Sequence, residues 1–204
     1  MPPIATVPPE WAAPCRDLRA FIARLREAGE LVEIHAPVDA HLEITEIADR
    51  VSKGPKAQNK ALLFTNVKGY GMPLLINALG SHERMLMALG ATSYEALQER
   101  VAYFAKLQFK KDLIDSQSFM EKVTALPKVL DLRHALPRPY KGKVAPCQEV
   151  VVTDPDQAML DKLPILTCWP DDGGPFVTLP CVFTKDPITG EPNMGMYRMQ
   201  KYDN

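Results

Sequence analysis

The sequence predicts an α+β fold, and three features of the chain support this prediction. Between residues 16 and 125, segments with apolar residues at helical spacing alternate with short apolar segments typical of strands, which indicates an α/β domain. From residue 126 to residue 204, prolines and short β-branched runs favour antiparallel β-structure. Residues 1–15 are rich in proline and predict an extended arm. We therefore expect three parts, with the main boundary near Leu126.

Helical periodicity in the first domain predicts helices at residues 17–28, 42–53, 81–89 and 92–106, with a weaker helical stretch at 112–123. The inward positions predicted for these helices are Leu18, Phe21, Ile22, Leu25, Ile44, Ile47, Ala48, Val51, Leu97, Val101, Phe104 and Ala105. Strands are predicted at residues 30–35, 61–67 and 73–77. Gly29 and Gly54 follow the first two helices, where glycine commonly ends a helix. Thr92 and Glu95 have the spacing of a capping box.

Composition excludes several classes of function. The net charge is −1 and no basic stripe occurs, so nucleic acid is not expected as a partner. No apolar run approaches the ~20 residues of a membrane-spanning helix. The first residues lack the pattern of a signal peptide, which predicts a cytoplasmic protein. The four cysteines are widely spaced without a C-x-x-C pair, so we expect reduced, structural thiols.

The second region is predicted to contain short strands at residues 130–132, 148–153 and 165–168, followed by a hairpin. The two arms of this hairpin are residues 176–184 and residues 193–202. Between them, residues 186–190 read Asp-Pro-Ile-Thr-Gly, which is typical of a turn.

Few other patterns suggest chemistry. The sequence contains no nucleophile elbow, P-loop or dinucleotide fingerprint, and the four histidines are isolated. The Asp171-Asp172-Gly173-Gly174 segment could bind a cation through its carboxylates, or it could form a tight turn. The turn is favoured, because the acids are too few and too irregularly spaced for a calcium loop.

The second arm of the hairpin concentrates residues that bind ligands. Asn193 offers an amide oxygen, a hard ligand for a divalent cation, and Arg198 can bind a carboxylate or phosphate through two parallel hydrogen bonds. Strand alternation places Asn193, Gly195 and Tyr197 on one face and Arg198 on the other, unless Gly195 introduces a bulge. Gly195 would also let a flat ligand approach the backbone. The pattern fits a ligand site and an ordinary exposed hairpin equally well.

The order of motifs resembles the UbiD-like decarboxylases, which include the 3-polyprenyl-4-hydroxybenzoate carboxy-lyases. The segments that carry the resemblance are Leu163-Pro164-Ile165-Leu166-Thr167-Cys168-Trp169-Pro170-x-Asp172-x-Gly174-Pro175, Thr184-x-Asp186-Pro187-x-Thr189-Gly190 and Asn193-x-Gly195-x-Tyr197-Arg198-Met199-Gln200. The segments at residues 17–22 and 62–77 also fit, so the resemblance extends over nearly all of the chain from Asp17.

This resemblance implies an N-terminal α/β domain and a flavin-binding β-domain of split-barrel type, which would be incomplete in this chain. It implies prenylated FMN as cofactor, with a divalent, manganese-like metal and potassium at the cofactor phosphate. The reaction it implies is the reversible, non-oxidative decarboxylation of aromatic or α,β-unsaturated acids. It also implies a C-terminal domain that makes the complete protein a homo-oligomer.

The resemblance assigns roles to individual residues of the second region. Asn193 matches a metal ligand, and Arg198 matches the catalytic arginine near the substrate carboxylate. The residues that match cofactor contacts are Thr178, Met196, Tyr197 and Arg198. Trp169 lies near the implied ion site.

The family's glutamate metal ligand, ion-site histidine and acidic proton donor lie beyond the arginine motif, so we expect this chain to carry half of a site and to be inactive alone. The barrel would also lack strands, which leaves residues 193–202 as an exposed edge. Two alternatives remain open. The chain could be a non-catalytic subunit or assembly module that pairs with a chain completing the flavin site, or an ordinary flavin-binding β-domain.

Overall fold

The computed structural model describes residues 6–109, 140–154, 156–157 and 160–202. Helices and small sheets occur together, so the predicted α+β class is confirmed. In the described ranges no sheet closes on itself, and the split barrel remains a prediction. The helical stretch predicted at 112–123, the strand predicted at 130–132 and the boundary near Leu126 lie outside the described residues.

The chain divides into two compact units, one from residues 1–92 and 154–204 and the other from residues 93–153. The α-helices are α1 (Leu18–Glu27), α2 (Glu43–Lys53), α3 (His82–Leu89) and α4 (Tyr94–Phe109). The strands are β1 (Leu31–Ile34), β2 (Ala61–Phe64), β3 (Leu74–Ile76), β4 (Phe176–Val177), β5 (Val182–Lys185), β6 (Pro192–Gly195) and β7 (Met199–Gln200). Single 3₁₀ turns occupy Pro9–Trp11, Lys56–Gln58, Pro146–Gln148 and Leu160–Lys162. Within the described residues, no helix is long and apolar enough to cross a membrane.

A mixed three-stranded sheet forms the centre of the first unit. Strand β2 runs parallel to β1 and antiparallel to β3. All four residues of β2 are buried, because this central strand is covered on both faces. Helix α2 packs on the sheet as its periodicity predicts. The buried core residues here are Val38, Ala40, Ile44, Ala48, Leu62, Phe64, Val67 and Leu166.

Leu166 in this core belongs to the later part of the chain. The adjacent Thr167 N–H donates to the carbonyl oxygen of Ala40 at 3.3 Å, and its own carbonyl accepts from the Leu42 N–H at 3.0 Å. The Thr45 hydroxyl donates to the carbonyl oxygen of Cys168 at 3.0 Å. Residues 166–168 are therefore fastened beside the start of α2. The predicted strand at 165–168 reduces to isolated bridges, which pair Leu166 and Thr167 with other segments.

The helix ends follow the sequence signals except at the start of α4, and two of the predicted inward positions are wrong. Asp17 caps α1 by accepting a hydrogen bond from the Ala20 N–H at 2.8 Å, and Gly29 after this helix has φ of 67°. The predicted cap of α4 at Thr92 is wrong by one residue, because Ser93 accepts from the Ala96 N–H at 3.2 Å. Two residues predicted to face inward are exposed, Leu18 at 60% and Val101 at 59%.

A buried polar network joins the sheet to α3. The Arg84 side chain is fully buried, with an exposed fraction of 0%. Its Nη1 atom donates to Glu30 Oε2 at 2.9 Å and to the Asn59 carbonyl oxygen at 2.7 Å. Its Nη2 atom donates to Asn59 Oδ1 at 3.0 Å, and Asn77 Nδ2 donates to the same oxygen at 2.8 Å. Lys60 Nζ also donates to Glu30 Oε1 at 2.5 Å.

The predicted hairpin exists, but each of its arms is broken into two short strands. Strand β5 pairs with β6 next to the turn, and β4 pairs with β7 farther away. Residues 178–181 of the first arm stand opposite residues 196–198 of the second, so the first arm has one extra residue. The extra residue thus lies in the first arm, where Leu179 has a left-handed φ of 55°, and not at Gly195, where a bulge had been considered.

The hairpin turn depends on the Asp186 side chain. Its Oδ1 atom accepts from the N–H groups of Ile188 at 2.8 Å and Thr189 at 2.7 Å. These bonds stabilise the carboxylate and lower the pKa of Asp186 below its ordinary value of 3.8.

We therefore expect the turn to be stabilised above pH 3.8, with this stabilisation lost as the pH falls through the lowered pKa of Asp186. The amide proton shifts of Ile188 and Thr189, measured by NMR, should titrate with a midpoint below 3.8. The D186N variant keeps an acceptor oxygen but should lose this titration. A midpoint at or above 3.8 would contradict the geometry.

Candidate active site

Arg198 lies between an aromatic ring and a carboxylate. Its Cζ atom is 3.7 Å from the centroid of the Phe176 ring, which is a cation–π contact. Its Nη2 atom is 3.6 Å from Asp172 Oδ1. The Arg198 side chain is 53% exposed and the Asp172 side chain is 13% exposed. A half-exposed guanidinium is therefore supported from two sides.

Strand pairing explains why Arg198 meets Phe176. Phe176 pairs directly with Gln200, and Arg198 precedes Gln200 by two residues along the same arm. Residues at this spacing share a face of a strand, so Arg198 is the diagonal neighbour of Phe176. The long Arg198 side chain can cross that diagonal distance and stack on the ring.

Asp172 belongs to a turn. Its N–H donates to the carbonyl oxygen of Trp169 at 3.1 Å, and its Oδ2 atom accepts from the Trp169 N–H at 3.2 Å. Gln200 Nε2 donates to the carbonyl oxygen of Gly173 at 2.6 Å, which ties this turn to β7. The turn interpretation of the Asp171–Gly174 segment is confirmed.

The charges of Asp172 and Arg198 affect the pKa of the Cys168 thiol. Burial raises the pKa of Cys168, the Asp172 carboxylate raises it further, and the Arg198 guanidinium opposes the rise. Its high pKa makes Cys168 a poor nucleophile, because the reactive form of a cysteine is the thiolate. We assign it no covalent role.

The other predicted site residues lie on the broken hairpin and are exposed. Asn193 is in β6 opposite Thr184. Thr178 directly follows β4, and Met196 and Tyr197 occupy the gap between β6 and β7, with exposed fractions of 66% and 55%. No hydrogen bond or ion pair between described residues joins Asn193 or Thr178 to Arg198. The structure thus brings Arg198 together with Asp172, Phe176 and Cys168, and leaves the remaining candidates spread along the hairpin.

The space beside Gly195, where we expected a flat ligand to approach the backbone, is occupied in this structure by the ring of Tyr197. A Cβ atom on Gly195 would lie 2.3 Å from a carbon of that ring. Any side chain at position 195 would therefore displace Tyr197. The aromatic ring is held against the backbone next to Met196 and before Arg198.

The described residues contain one predicted metal ligand. Asn193 supplies a single amide oxygen, and no group of three or more His, Cys, Asp or Glu side chains in the described ranges could hold a metal ion. This donor set does not fit a complete metal site. We derive no chemical step through a metal.

A cavity of about 420 Å³ lies between the start of α2 and the segment before the Asp172 turn. It is lined by His41, Leu42, Glu43, Glu46, Cys168, Trp169 and Pro170. Leu42 has a left-handed φ of 64°, which is strained for a bulky residue. This cavity has an apolar wall and an acidic rim. No pattern in the sequence predicts it.

Sequence reasoning missed the contacts that Asp172 and Phe176 make with Arg198. Asp172 is part of the segment that resembles the family, and this was the available signal. Nothing in the sequence indicates that Phe176 supports Arg198, because that contact depends on the pairing of β4 with β7.

Two family models match the chain. The model of the 3-octaprenyl-4-hydroxybenzoate carboxy-lyase N-terminal domain matches residues 22–103. The model of the Rift-related domain of the same enzyme matches residues 138–204. The two segments together cover most of the chain, in the order in which the motifs occur.

The chain is also similar to longer proteins. An uncharacterized protein of Archaeoglobus fulgidus is 44% identical over 92% of this chain and 35% of its own length. An uncharacterized protein of Aquifex aeolicus is 43% identical over 92% of this chain and 36% of its own length. The chain thus spans about a third of the length of the curated relatives it matches.

Solved structures share the fold. Vanillic acid decarboxylase of Sedimentibacter hydroxybenzoicus, in open form, matches 92% of this chain and 36% of its own chain, with a TM-score of 0.65 and 24% identity. An evolved dimeric form of the UbiD-class enzyme HmfF from Pelotomaculum thermopropionicum, in complex with prFMN, matches 90% of this chain and 35% of its own, with a TM-score of 0.57 and 22% identity.

Proposed function

Because the chain belongs to the UbiD-like family of carboxy-lyases, we propose that it forms part of a non-oxidative decarboxylase that uses prenylated FMN. The substrates are aromatic or α,β-unsaturated carboxylic acids, and the reaction is reversible. The HmfF structure holds prFMN, and the enzyme of Sedimentibacter hydroxybenzoicus is a vanillic acid decarboxylase. The HmfF form is dimeric, which supports a homo-oligomer for the complete protein.

The observation that carries this proposal is the Arg198 arrangement. Its guanidinium is half-exposed, stacked on Phe176 and oriented by Asp172. Arginine carries five N–H donors and stays charged, so Arg198 can receive a substrate carboxylate while it keeps both contacts. A carboxylate bound in this way is fixed next to the hairpin.

Three exposed side chains of the hairpin are proposed to contact a flat cofactor. Tyr197, Met196 and Thr178 present an exposed aromatic ring, a polarizable thioether and a hydroxyl along one broken stretch of the hairpin. When bound, prenylated FMN supplies the electron sink that amino-acid side chains lack for loss of CO₂ from an sp² carbon. Arg198 holds the carboxylate, and the exposed side chains of Tyr197 and Met196 are proposed to contact the bound cofactor.

Decarboxylation of an acid by the active enzyme that contains this chain is the direct test. A panel of aromatic and unsaturated acids is incubated with enzyme reconstituted with prenylated FMN, and CO₂ release is measured. Reversibility is tested by ¹³C-bicarbonate incorporation into the product. Enzyme prepared with unmodified FMN is the matched control and should be inactive. Absence of CO₂ release from every acid would reject the proposal.

We also propose that residues 1–204 do not catalyse decarboxylation on their own. Asp172, the carboxylate that contacts Arg198 within the described ranges, uses one oxygen for the ion pair and the other for its turn, so it is poorly placed to donate a proton. CO₂ release by the isolated 204-residue chain, supplied with prenylated FMN, would contradict this.

Asn193 is proposed to contribute one ligand to a divalent metal, and a potassium ion is proposed at the cofactor phosphate. The N193A variant should lower the affinity of the reconstituted enzyme for manganese by about tenfold or more, because one ligand is lost. Less manganese should therefore remain bound. Metal content after gel filtration is measured by mass spectrometry, with N66A as the control. Equal manganese content in N193A and wild type would refute the ligand role.

A second candidate function is that of an assembly module. The observation that favours it is the apolar exposure of the β5–β6 hairpin, where Phe183 is 75% exposed, Ile188 93% and Met194 63%. A stable hetero-complex with fixed stoichiometry, detected by size exclusion with light scattering, would favour this candidate. A homo-oligomer that releases CO₂ would favour the enzyme.

A further inference from the structure

We propose that Asp172 is a positioning residue that, with the Phe176 ring, holds the Arg198 guanidinium in the orientation that receives the substrate carboxylate. This inference rests on the proposed function. It adds a role for two side chains that neither touch the reacting atoms nor bind the cofactor.

The two side chains of the ion pair, Asp172 and Arg198, differ in how tightly the surrounding structure restrains them. The Asp172 side chain is 13% exposed and the Arg198 side chain is 53% exposed. Asp172 is fixed by its own turn through the Trp169 N–H, and the adjacent Gly173 carbonyl oxygen is bonded to the Gln200 side chain. A restrained carboxylate next to a long, half-exposed arginine acts as the anchor for that arginine.

The ion pair with Asp172 orients the Arg198 guanidinium but leaves most of its N–H donors free for another acceptor. The distance of 3.6 Å between Nη2 and Asp172 Oδ1 is longer than a hydrogen bond, so this is a loose ion pair. The Phe176 ring covers one face of the guanidinium at 3.7 Å. One face and the N–H groups along its edge therefore stay available to a second carboxylate, in the planar geometry that bidentate binding needs.

A competing possibility has the opposite consequence. If Asp172 only neutralised Arg198, its negative charge would repel an anionic substrate, and removing it would tighten carboxylate binding. If Asp172 positions Arg198, removing it releases the side chain into several rotamers, and binding weakens. The sign of the change separates the two.

The D172N variant tests this with little risk to the fold. Asparagine keeps an oxygen that can accept from the Trp169 N–H and removes the charge. D171N is the matched control, because Asp171 is the exposed neighbour of Asp172 and loses the same charge. Both variants are made in the 204-residue chain, and the Arg198 side-chain NMR signals are followed during titration with benzoate.

We expect D172N to bind benzoate about fivefold more weakly than wild type, and D171N to bind as wild type does. Equal or tighter binding by D172N would overturn the inference. In the active enzyme, D172N should lower kcat by about tenfold, because misorientation affects the reacting geometry. An unchanged kcat would also overturn it.

The pKa of Cys168 reports whether the Asp172 and Arg198 charges both lie beside this thiol, as the proposed arrangement requires. In a chain with Cys15, Cys147 and Cys181 replaced by serine, the pKa of Cys168 is measured from the pH dependence of alkylation. D172N should lower this pKa, since a negative charge is lost, and R198A should raise it, since a positive charge is lost. If the pKa of Cys168 changed in neither variant, the Asp172 and Arg198 charges would not lie beside Cys168, and the inference would be overturned.

Failure of the proposed function has a different signature. If the enzyme releases CO₂ from no acid while benzoate binding and the Cys168 pKa change as expected, decarboxylation is rejected and the positioning of Arg198 by Asp172 is retained. If CO₂ is released but D172N behaves as wild type, the function is retained and the positioning role is rejected.

Discussion

Replacement of Arg198 by alanine is expected to lower kcat/KM for decarboxylation by about 10²–10³-fold in the active enzyme, which is the size of effect seen when one preorganised donor is removed from a catalytic site. The reason is specific to this arrangement. The Phe176 ring and the Asp172 carboxylate hold one guanidinium in place, and the described residues offer no second cation in contact with either group.

The fold should survive this change. A half-exposed arginine in a loose ion pair contributes about 1 kcal/mol or less to the free energy of unfolding. R198A should therefore show a urea midpoint close to that of wild type. R198K keeps the charge but loses the planar fork and the stacking surface, so an intermediate rate is expected.

Steady-state CO₂ release is the measurement for the Arg198 variants. R16A is the control, because the Arg16 side chain is 90% exposed and pairs with its neighbour Asp17. A rate for R198A near that of wild type would reject the role of Arg198. A collapse of the urea midpoint would assign to Arg198 a structural role instead.

The largest expected effect on stability comes from Arg84. R84A should lower the free energy of unfolding by about 3–5 kcal/mol, because it removes a fully buried side chain and one of the two cations that pair with Glu30, leaving only Lys60. It also removes the donors to Asn59, whose amide organises the segment before β2. Even in the wild type the Nε atom of Arg84 has no hydrogen-bond partner among the described residues, which leaves one polar group of this network unsatisfied there.

Urea denaturation of the chain measures the effect of R84A. The control is K56A. It breaks the ion pair between Lys56, which is 76% exposed, and Glu83, which lies on the same helix as Arg84. This exposed pair should contribute about 1 kcal/mol or less. The double variant E30Q/R84M removes both charges together. Its loss of unfolding free energy should be smaller than the sum of the losses in the single variants E30Q and R84M. A loss below about 1 kcal/mol for R84A would contradict the buried-pair argument.

The sequence predicted the helices better than the strands. Helices α1, α2 and α3 begin and end within one or two residues of their predicted limits, because periodicity and the glycines that follow them are local signals. The strands of the second region were predicted as continuous arms of 176–184 and 193–202. They are broken by Leu179 on one side and by the 196–198 gap on the other, where the register changes by one residue.

The candidate site follows the same division. The hairpin turn and the family were identifiable from residue types and order, and Arg198 was selected as a candidate on the same grounds. The buried Glu30–Arg84 pair was not, because its partners are far apart in the chain and charged residues carry no periodic signal of burial. The site roles of Thr178, Asn193, Met196, Tyr197 and Arg198 stay predictions. No contact in the described ranges joins Asn193 or Thr178 to Arg198.

The sequence by itself determined where α1 to α3 and the hairpin turn lie, because each depends on residues within a few positions of one another. It also determined which residue types line the second arm. The tertiary structure alone decided that Arg198 stacks on Phe176 and meets Asp172. That meeting requires β4 to pair with β7 in one particular register and the Asp172 turn to be tied to Gln200, and both are interactions between segments distant in the chain.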